Sequence, residues 1–405
     1  MSKESKMNLA EATDLLEFII KQNYNLAAEN KKTTAIEFIG ESGIGKTSAL
    51  LDIAKKLDMY CVKLNLAQIE ELGDLIGYPI KEYYMCSPEG ECEWIASDVL
   101  EHYISAGYKL HENQSRMSYA LPSWVPREEN PNGTLLLLDD FNRADPRMIQ
   151  ATMELIDRGQ YVSWSLPPKT TIVLSSNPDN GDYSVSTLDN AQKTRYMSFS
   201  VDFDIDVWAK WAEFEGLDSR TINFALSNPE IFKKQGGVQT VNARSYTTFA
   251  NTIAGFKDFS TRETLSKILN IASGCFTNEN NTVGTLFTAF IANKLDKLTS
   301  PKEMLLTGWD TLKVELQNCL YDGNNYRADI ANVLSTRFLN YVEFYFDQPN
   351  CKSDVVIKRM LDFIDSDVVL LSEDLIFHLV KNLTTKYPQR TNKLLMNPKV
   401  ISKLL

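Results

Sequence analysis

The chain has 405 residues, of which 43% are hydrophobic and 23% charged, with a formal net charge of −11. That length exceeds a single compact core and predicts two or three domains of ordinary globular composition. The apolar runs are strand-sized and too short to span a bilayer. The polar Met1–Lys6 start has no apolar signal core. The acidic balance argues against a protein that mainly grips duplex DNA, because that task needs a basic surface to release counterions. It suits a protein partner better. Six scattered cysteines (Cys61, Cys86, Cys92, Cys275, Cys319, Cys351) read as reduced thiols in a cytoplasmic protein.

In chain order, residues 8–29 predict a helix with Leu9, Ala12, Leu15, Leu16, Ile19 and Ile20 on one face. A strand over Ala35–Ile39 follows, then Gly40-Glu41-Ser42-Gly43-Ile44-Gly45-Lys46-Thr47, which fits G-x-x-x-x-G-K-[ST], then a helix to about Leu57. Strand, glycine turn and helix N-terminus are the context in which this motif binds phosphate. Glycines allow the torsions that turn several N–H groups toward one anion, and the helix dipole adds attraction. Lys46 is expected at the β/γ-phosphates, the Thr47 hydroxyl on Mg²⁺, and Gly40 through Ser48 along the nucleotide.

Further strands are predicted at 60–65, 134–138, 171–175 and 197–203, alternating with helices, which argues for a parallel sheet covered by helices. The strand Thr134–Leu138 ends in Asp139-Asp140. An acid at such a tip sits beside the phosphate loop and holds Mg²⁺, and the next can orient and deprotonate the attacking water. Asp139 is therefore the metal-side candidate and Asp140 the base. Asn177, just past the 171–175 strand, offers a neutral amide to the γ-phosphate or the water without competing for the metal.

Other signals are weaker. Residues 73–126 form an aromatic-rich insertion (Trp94, Tyr103, Tyr108, Tyr119, Trp124) whose rings are read mainly as packing onto the sheet, and Tyr161–Leu166 reads as a hairpin. Cys86 and Cys92, near His102 and His111, lack the usual C-x₂₋₄-C zinc spacing and read as an ordinary loop. From about Asp204 the chain reads as helical, with breaks near Ser300-Pro301 and Asp322–Asn325. Asn293-Lys294-Leu295-Asp296 matches a guanine-reading tetrapeptide, but the strand end Asp139-Asp140-Phe141-Asn142 has no glycine to make the D-x-x-G a GTPase would need there, so ATP is favoured over GTP. His378, in an apolar helix, reads as packed.

Five motifs in order give the chain a family resemblance. They are Gly40–Thr47, Leu138–Asp145 (LDDFNRAD), Met148–Arg158, Ser176-Asn177-Pro178 and Leu188–Tyr196. Over roughly residues 30–250 the sequence resembles MoxR-type AAA+ ATPases of the dynein-related branch. The resemblance places Arg195 where members carry the arginine finger that reaches a neighbouring subunit's γ-phosphate, a group worth 10³–10⁵ in rate in studied cases. It places Arg244, in Val241–Tyr246, at the second sensor that opens a lid helix. Arg143 and Arg158 are further candidates to face a neighbour. One position departs from the pattern: the family usually has Asp-Glu where this chain has Asp139-Asp140.

The expected fold is therefore an α/β P-loop AAA+ core over 1–203, a helical lid over 204–300 and a helical region over 301–405. ATP and Mg²⁺ are the expected ligands. The resemblance implies a ring, a hexamer, that hydrolyses ATP at subunit interfaces to remodel a client protein, often one with a von Willebrand-A domain. A nucleotide-dependent scaffold with little turnover is the alternative that Asp140 keeps open. A DNA-directed AAA+ motor is the less favoured one.

Overall fold

The computed structural model describes residues 6–179, 183–186, 188–234, 241–259, 261–276, 282–292, 298–398 and 400. The chain divides after Phe203 into two compact units, Met1–Phe203 and Asp204–Leu405.

The first unit is built on five strands: β1 (Ala35–Ile39), β2 (Tyr60–Asn65), β3 (Thr134–Asp139), β4 (Thr170–Ser176) and β5 (Tyr196–Ser200). All neighbours are parallel, in the order β5-β1-β4-β3-β2. The chain leaves β1, passes over two positions to reach the edge at β2, and fills the gap later. The C-terminal ends of β1, β4 and β3 thus meet at a topological switch point, where open α/β sheets bind ligands. Every residue of β3 and β4 is buried. Those strands read as continuous apolar runs because helices cover both faces.

One face carries Ile36, Phe38, Leu135, Leu137 and Val173 under helices α1 (Leu9–Ala28) and α2 (Lys46–Lys56). The other carries Leu136, Leu138, Ile172 and Leu174 under α3 (Pro146–Arg158). Local signals set the helix ends. Asn8 and Glu11 close a capping box at the start of α1. Asp145 caps α3, Pro146 opens it, and Gly159 ends it at φ 64°. Asn23 of α1 is fully buried and bonds Thr34 and Thr171, which fixes the helix to the sheet. This is the expected α/β core, a parallel sheet covered by helices with the phosphate-loop motif at the turn from β1 to α2.

The insertion forms its own antiparallel sheet, Cys92–Ala96, Pro79–Cys86 and Lys109–Tyr119 in that order. Its cysteines depart from the reduced state expected of them. The register puts Cys86 opposite Cys92, and they form a disulfide. The spacing judged unsuitable for zinc is that of a short hairpin closed by its own bridge. Its aromatics divide. Tyr119 and Trp124 pack toward the core, with Trp124 edge-on to the buried Trp164 at 5.8 Å. Trp94 instead packs at a tilt against Tyr84, ring centres 5.0 Å apart, and lies under the Arg116 guanidinium on the insertion's own sheet.

Among its described residues the second unit is helical apart from a short hairpin, Tyr321–Asp322 with Asn325–Tyr326. Ser300 and Glu303 form a capping box that starts the helix Pro301–Leu306. Arg337, fully buried on the helix Ala328–Asp347, bonds Glu213, Asn223 and Ser219. This polar staple joins residues on both sides of position 300. His378, expected to be packed, is exposed and its ring bonds Asn382. The 293–296 tetrapeptide lies outside the described residues. Among the described residues no helix is long and apolar enough to cross a membrane.

Candidate functional site

The loop from β1 to α2 has the backbone its motif predicts. Gly45, at the N-cap of α2, has φ 103°, where a side chain is strained. Gly40 has ordinary torsions, but a Cβ there would sit 2.5 Å from the Val201 carbonyl oxygen. Lys46 is buried and its ammonium donates to the carbonyls of Gly40 (2.6 Å) and Glu41 (3.0 Å). The lysine thus spans the loop it belongs to, while the first turn of α2 supplies N–H groups and the positive end of its dipole. Ser48, the last residue expected along the nucleotide, is exposed on that first turn.

Across the loop stands the tip of β3. The Thr47 hydroxyl lies 3.1 Å from both carboxylate oxygens of Asp139. Lys63 of β2 adds an ammonium at 3.1 Å from the same carboxylate. The next residue, Asp140, has φ 52° and ψ 36°, a left-handed conformation rare outside glycine but tolerated by Asp and Asn. This turn carries its carboxylate between two amides, Asn65 Nδ2 at 3.4 Å and Asn177 Nδ2 at 3.3 Å. The Arg143 guanidinium is 3.8 Å away.

Asn177 is itself held. Asn142 donates to its carbonyl (2.6 Å) and accepts from its backbone N–H (3.1 Å). Asp139, Asp140, Thr47 and Asn177 thus come together as one polar cluster at the C-terminal edge of the sheet. A hydroxyl and a carboxylate are the hard oxygen donors that Mg²⁺ takes, and that ion is usually held by one or two carboxylates together with phosphate and water oxygens. No group of three His, Cys, Asp or Glu is assembled among the described residues. The donor set fits a nucleotide-borne Mg²⁺ rather than a metal caged by protein alone.

The two arginines stand on other elements. Arg195 follows the short helix Asn190–Lys193, enters β5, and bonds the Ala191 carbonyl at 2.8 Å. Arg244 is exposed in the first turn of the helix Ala243–Ile253, in the second unit, behind an Asn242 cap.

Sequence reasoning gave no role to several residues of this cluster. Lys63 and Asn65 reach it because β2 pairs with β3 in a register that sets Asn65 opposite Asp139. Tyr183 reaches the phosphate loop, accepting from the Ser42 N–H (3.1 Å) and donating to the Glu41 carboxylate (2.7 Å). Glu37 of β1 is buried beneath the site and accepts from Ser176 (2.6 Å) and Ser198 (2.7 Å). Burial, with the nearby Glu37 charge, pushes the Tyr196 phenol well up. Only Asn142 carried a sequence signal, since it stands inside the Asp-Asp-Phe-Asn-Arg motif.

No family model matches the chain, and no curated protein does. Among solved structures, two variants of RuvB from Thermotoga maritima superpose at TM-score 0.36. One is 12% identical and covers 77% of this chain and 85% of its own. The other is 11% identical and covers 76% and 81%. The assignment of the fold rests on the strand order and on where the motifs fall, not on a likeness of this depth.

Proposed function

We propose that this chain is a Mg²⁺-dependent ATPase of the MoxR type, which works as a ring and remodels or activates a client protein. The observation that carries the reading is the placement of Asp140. It follows the Thr47–Asp139 pair at the mouth of the phosphate loop and is hydrogen-bonded by Asn65 and Asn177. Thr47 and Asp139 would hold the metal, whose role is to neutralise charge on the phosphates. The α2 N-terminus and Lys46 would bind the phosphate chain, with Lys46 exchanging loop carbonyls for phosphate oxygens. Asp140 would take the proton of the attacking water, and Asn177 would orient that water or the γ-phosphate.

Arg195 enters as the residue offered to a neighbour. The support for this is its position in the Leu188–Tyr196 motif and its place at the far end of the connection that starts at Asn177. A group that completes a neighbour's site requires a head-to-tail assembly, and such assemblies close into rings. A hexamer, ATP hydrolysis and a protein client, possibly with a von Willebrand-A domain, belong to this proposal. So does Arg244 as the sensor of the helical unit. The net charge of −11 favours a protein client over DNA.

The test is phosphate release by the whole chain. Lys46→Ala should abolish ATP binding, and Arg195→Ala should lower turnover by about 10³-fold or more, to a residual rate that single-turnover measurement still reads, while leaving binding intact. Mixing the two variants should recover part of the activity, because each supplies what the other lacks. Loss without recovery in the mixture would sink the shared-site reading. A second reading, ATP-closed scaffolding with little turnover, is favoured by the two amides and the guanidinium already around Asp140. It predicts that the wild-type chain binds ATP and assembles but releases phosphate no faster than Asp140→Asn.

A further inference from the structure

We infer that Tyr183 is a positioning residue that ties the phosphate loop to the connection delivering Arg195, so that loop and arginine are set together. The inference rests on the ATPase reading above and extends it to a residue with no motif role. The β4–β5 connection starts at Asn177 and ends at Arg195, and three anchors along it touch the site. Asn177 bonds Asp140 through its side chain and is clamped by Asn142. Tyr183 places its hydroxyl on the phosphate loop, between the Ser42 N–H and the Glu41 carboxylate. Ser186 returns to the β3 tip, donating from its N–H to the Asn142 carbonyl (2.7 Å) and from its hydroxyl to the Ala144 carbonyl (3.1 Å).

The chemistry of the middle anchor points to a working part rather than a surface contact. Glu41 puts a carboxylate beside the place that an anionic phosphate would take, and two like charges there repel. The phenol meets that carboxylate with a donor at 2.7 Å while taking up the Ser42 N–H, so one hydroxyl fixes both residues. A hydrogen bond with a charged partner is stronger than a neutral one. Through it, a displacement of the first turn of the phosphate loop is passed to the segment ending at Arg195. Asn177 and Ser186, on the same connection, are bonded at the acid tip, so the described residues of this connection touch both the loop and the acids.

The test is a double-mutant cycle on the full chain, with Tyr183→Phe, Arg195→Ala and both together. Tyr183→Phe keeps the ring and removes only the hydroxyl. It should leave the Kd for a fluorescent ATP analogue within about threefold and lower kcat about tenfold, the scale of a small misplacement of a reacting group. In the Arg195→Ala background the same change should cost less than about twofold, because the effect runs through the arginine. Glu41→Gln keeps an acceptor for the phenol and should fall short of Tyr183→Phe in effect.

Additive losses, an unchanged kcat in Tyr183→Phe, or a Glu41→Gln loss as large as that of Tyr183→Phe would each overturn the coupling. A wild-type chain that binds ATP and does not turn over would instead overturn the ATPase reading, and this inference with it. The two failures are separated by the wild-type rate.

Discussion

Replacing Asp140 separates two demands that this residue meets at once. Its backbone sits at φ 52°, where most side chains cost about 1–2 kcal/mol but Asp and Asn are favoured several-fold. Its carboxylate is placed by Asn65 and Asn177 beside the Thr47–Asp139 pair. Asp140→Asn preserves the first property, so the fold should lose no more than about 0.5 kcal/mol, the scale of a tolerated surface change. It removes the proton acceptor. General-base assistance is worth roughly 10²–10⁴, so phosphate release should fall by that factor, which is about 3–5 kcal/mol of barrier.

Asp140→Glu sets the demands against each other. The extra methylene extends the carboxylate by about 1.5 Å and gives the Asp-Glu pair usual in MoxR-type ATPases, which the chain resembles. The left-handed backbone then disfavours it by about 1 kcal/mol. Stability to denaturant should drop by that amount, and the melting transition by a few degrees. The assay is steady-state phosphate release together with binding of a fluorescent ATP analogue, both measured on protein whose unfolding has been followed in urea. Turnover of Asp140→Asn within threefold of wild type, with binding intact, would refute the assignment of Asp140 as base. An Asp140→Glu chain as stable as wild type would refute the backbone explanation for aspartate at this position.

Three further outcomes are expected. Arg337→Ala should destabilise the helical unit by about 3–5 kcal/mol, because it leaves Glu213 without its guanidinium in a largely buried site; a loss below about 1 kcal/mol in urea titration would show that the staple is not structural. Glu37→Ala should cost about 1–3 kcal/mol for the buried Ser176 hydroxyl left without an acceptor, and little for Ser198, whose residue is exposed to water, whereas Glu37→Gln should recover much of it. Equal losses in the two variants would show that charge rather than hydrogen bonding sets the cost. The side-chain hydrogen bonds of Lys21 and Lys56 draw Glu17 down to about 2. A carboxylate depressed in the folded state contributes stability at pH values above its ordinary range, and that contribution is lost as pH falls from about 4.5 toward 2. The pair is near the surface, so the contribution should stay below about 1 kcal/mol, and Glu17→Gln should flatten the acid limb of the stability curve by that amount; an unchanged limb would remove the ion pair from the account.

What the sequence made legible follows from how locally each feature is determined. The phosphate loop is set by adjacent residues, so its glycines, Lys46 and Thr47 could be read directly. The strand ends at Asp139 and Asn177 were also legible, because a continuous apolar run ending in polar residues marks a buried strand and its tip. The fold class followed from the alternation of such runs. The cysteines show the limit: Cys86 and Cys92 looked like isolated thiols until the strand register set one across from the other.

The same limit explains the residues that complete the site. Lys63 and Asn65 act at the acid tip only because β2 pairs in register with β3, although some 70 residues of chain separate them. Glu37 alternates with Ile36 and Phe38 and looks like a polar interruption of a strand; its role appears once Ser176 and Ser198 arrive from the two neighbouring strands. Tyr183 is further removed, since a tyrosine in a polar connection has no pattern that marks it. Lys63, Asn65 and Glu37 are brought to their partners by cross-strand register, and Tyr183 by the connection between two strands, so none of them carries a local signal. The phosphate-binding and acidic groups are readable along the chain, whereas the contacts that join them are set by the fold.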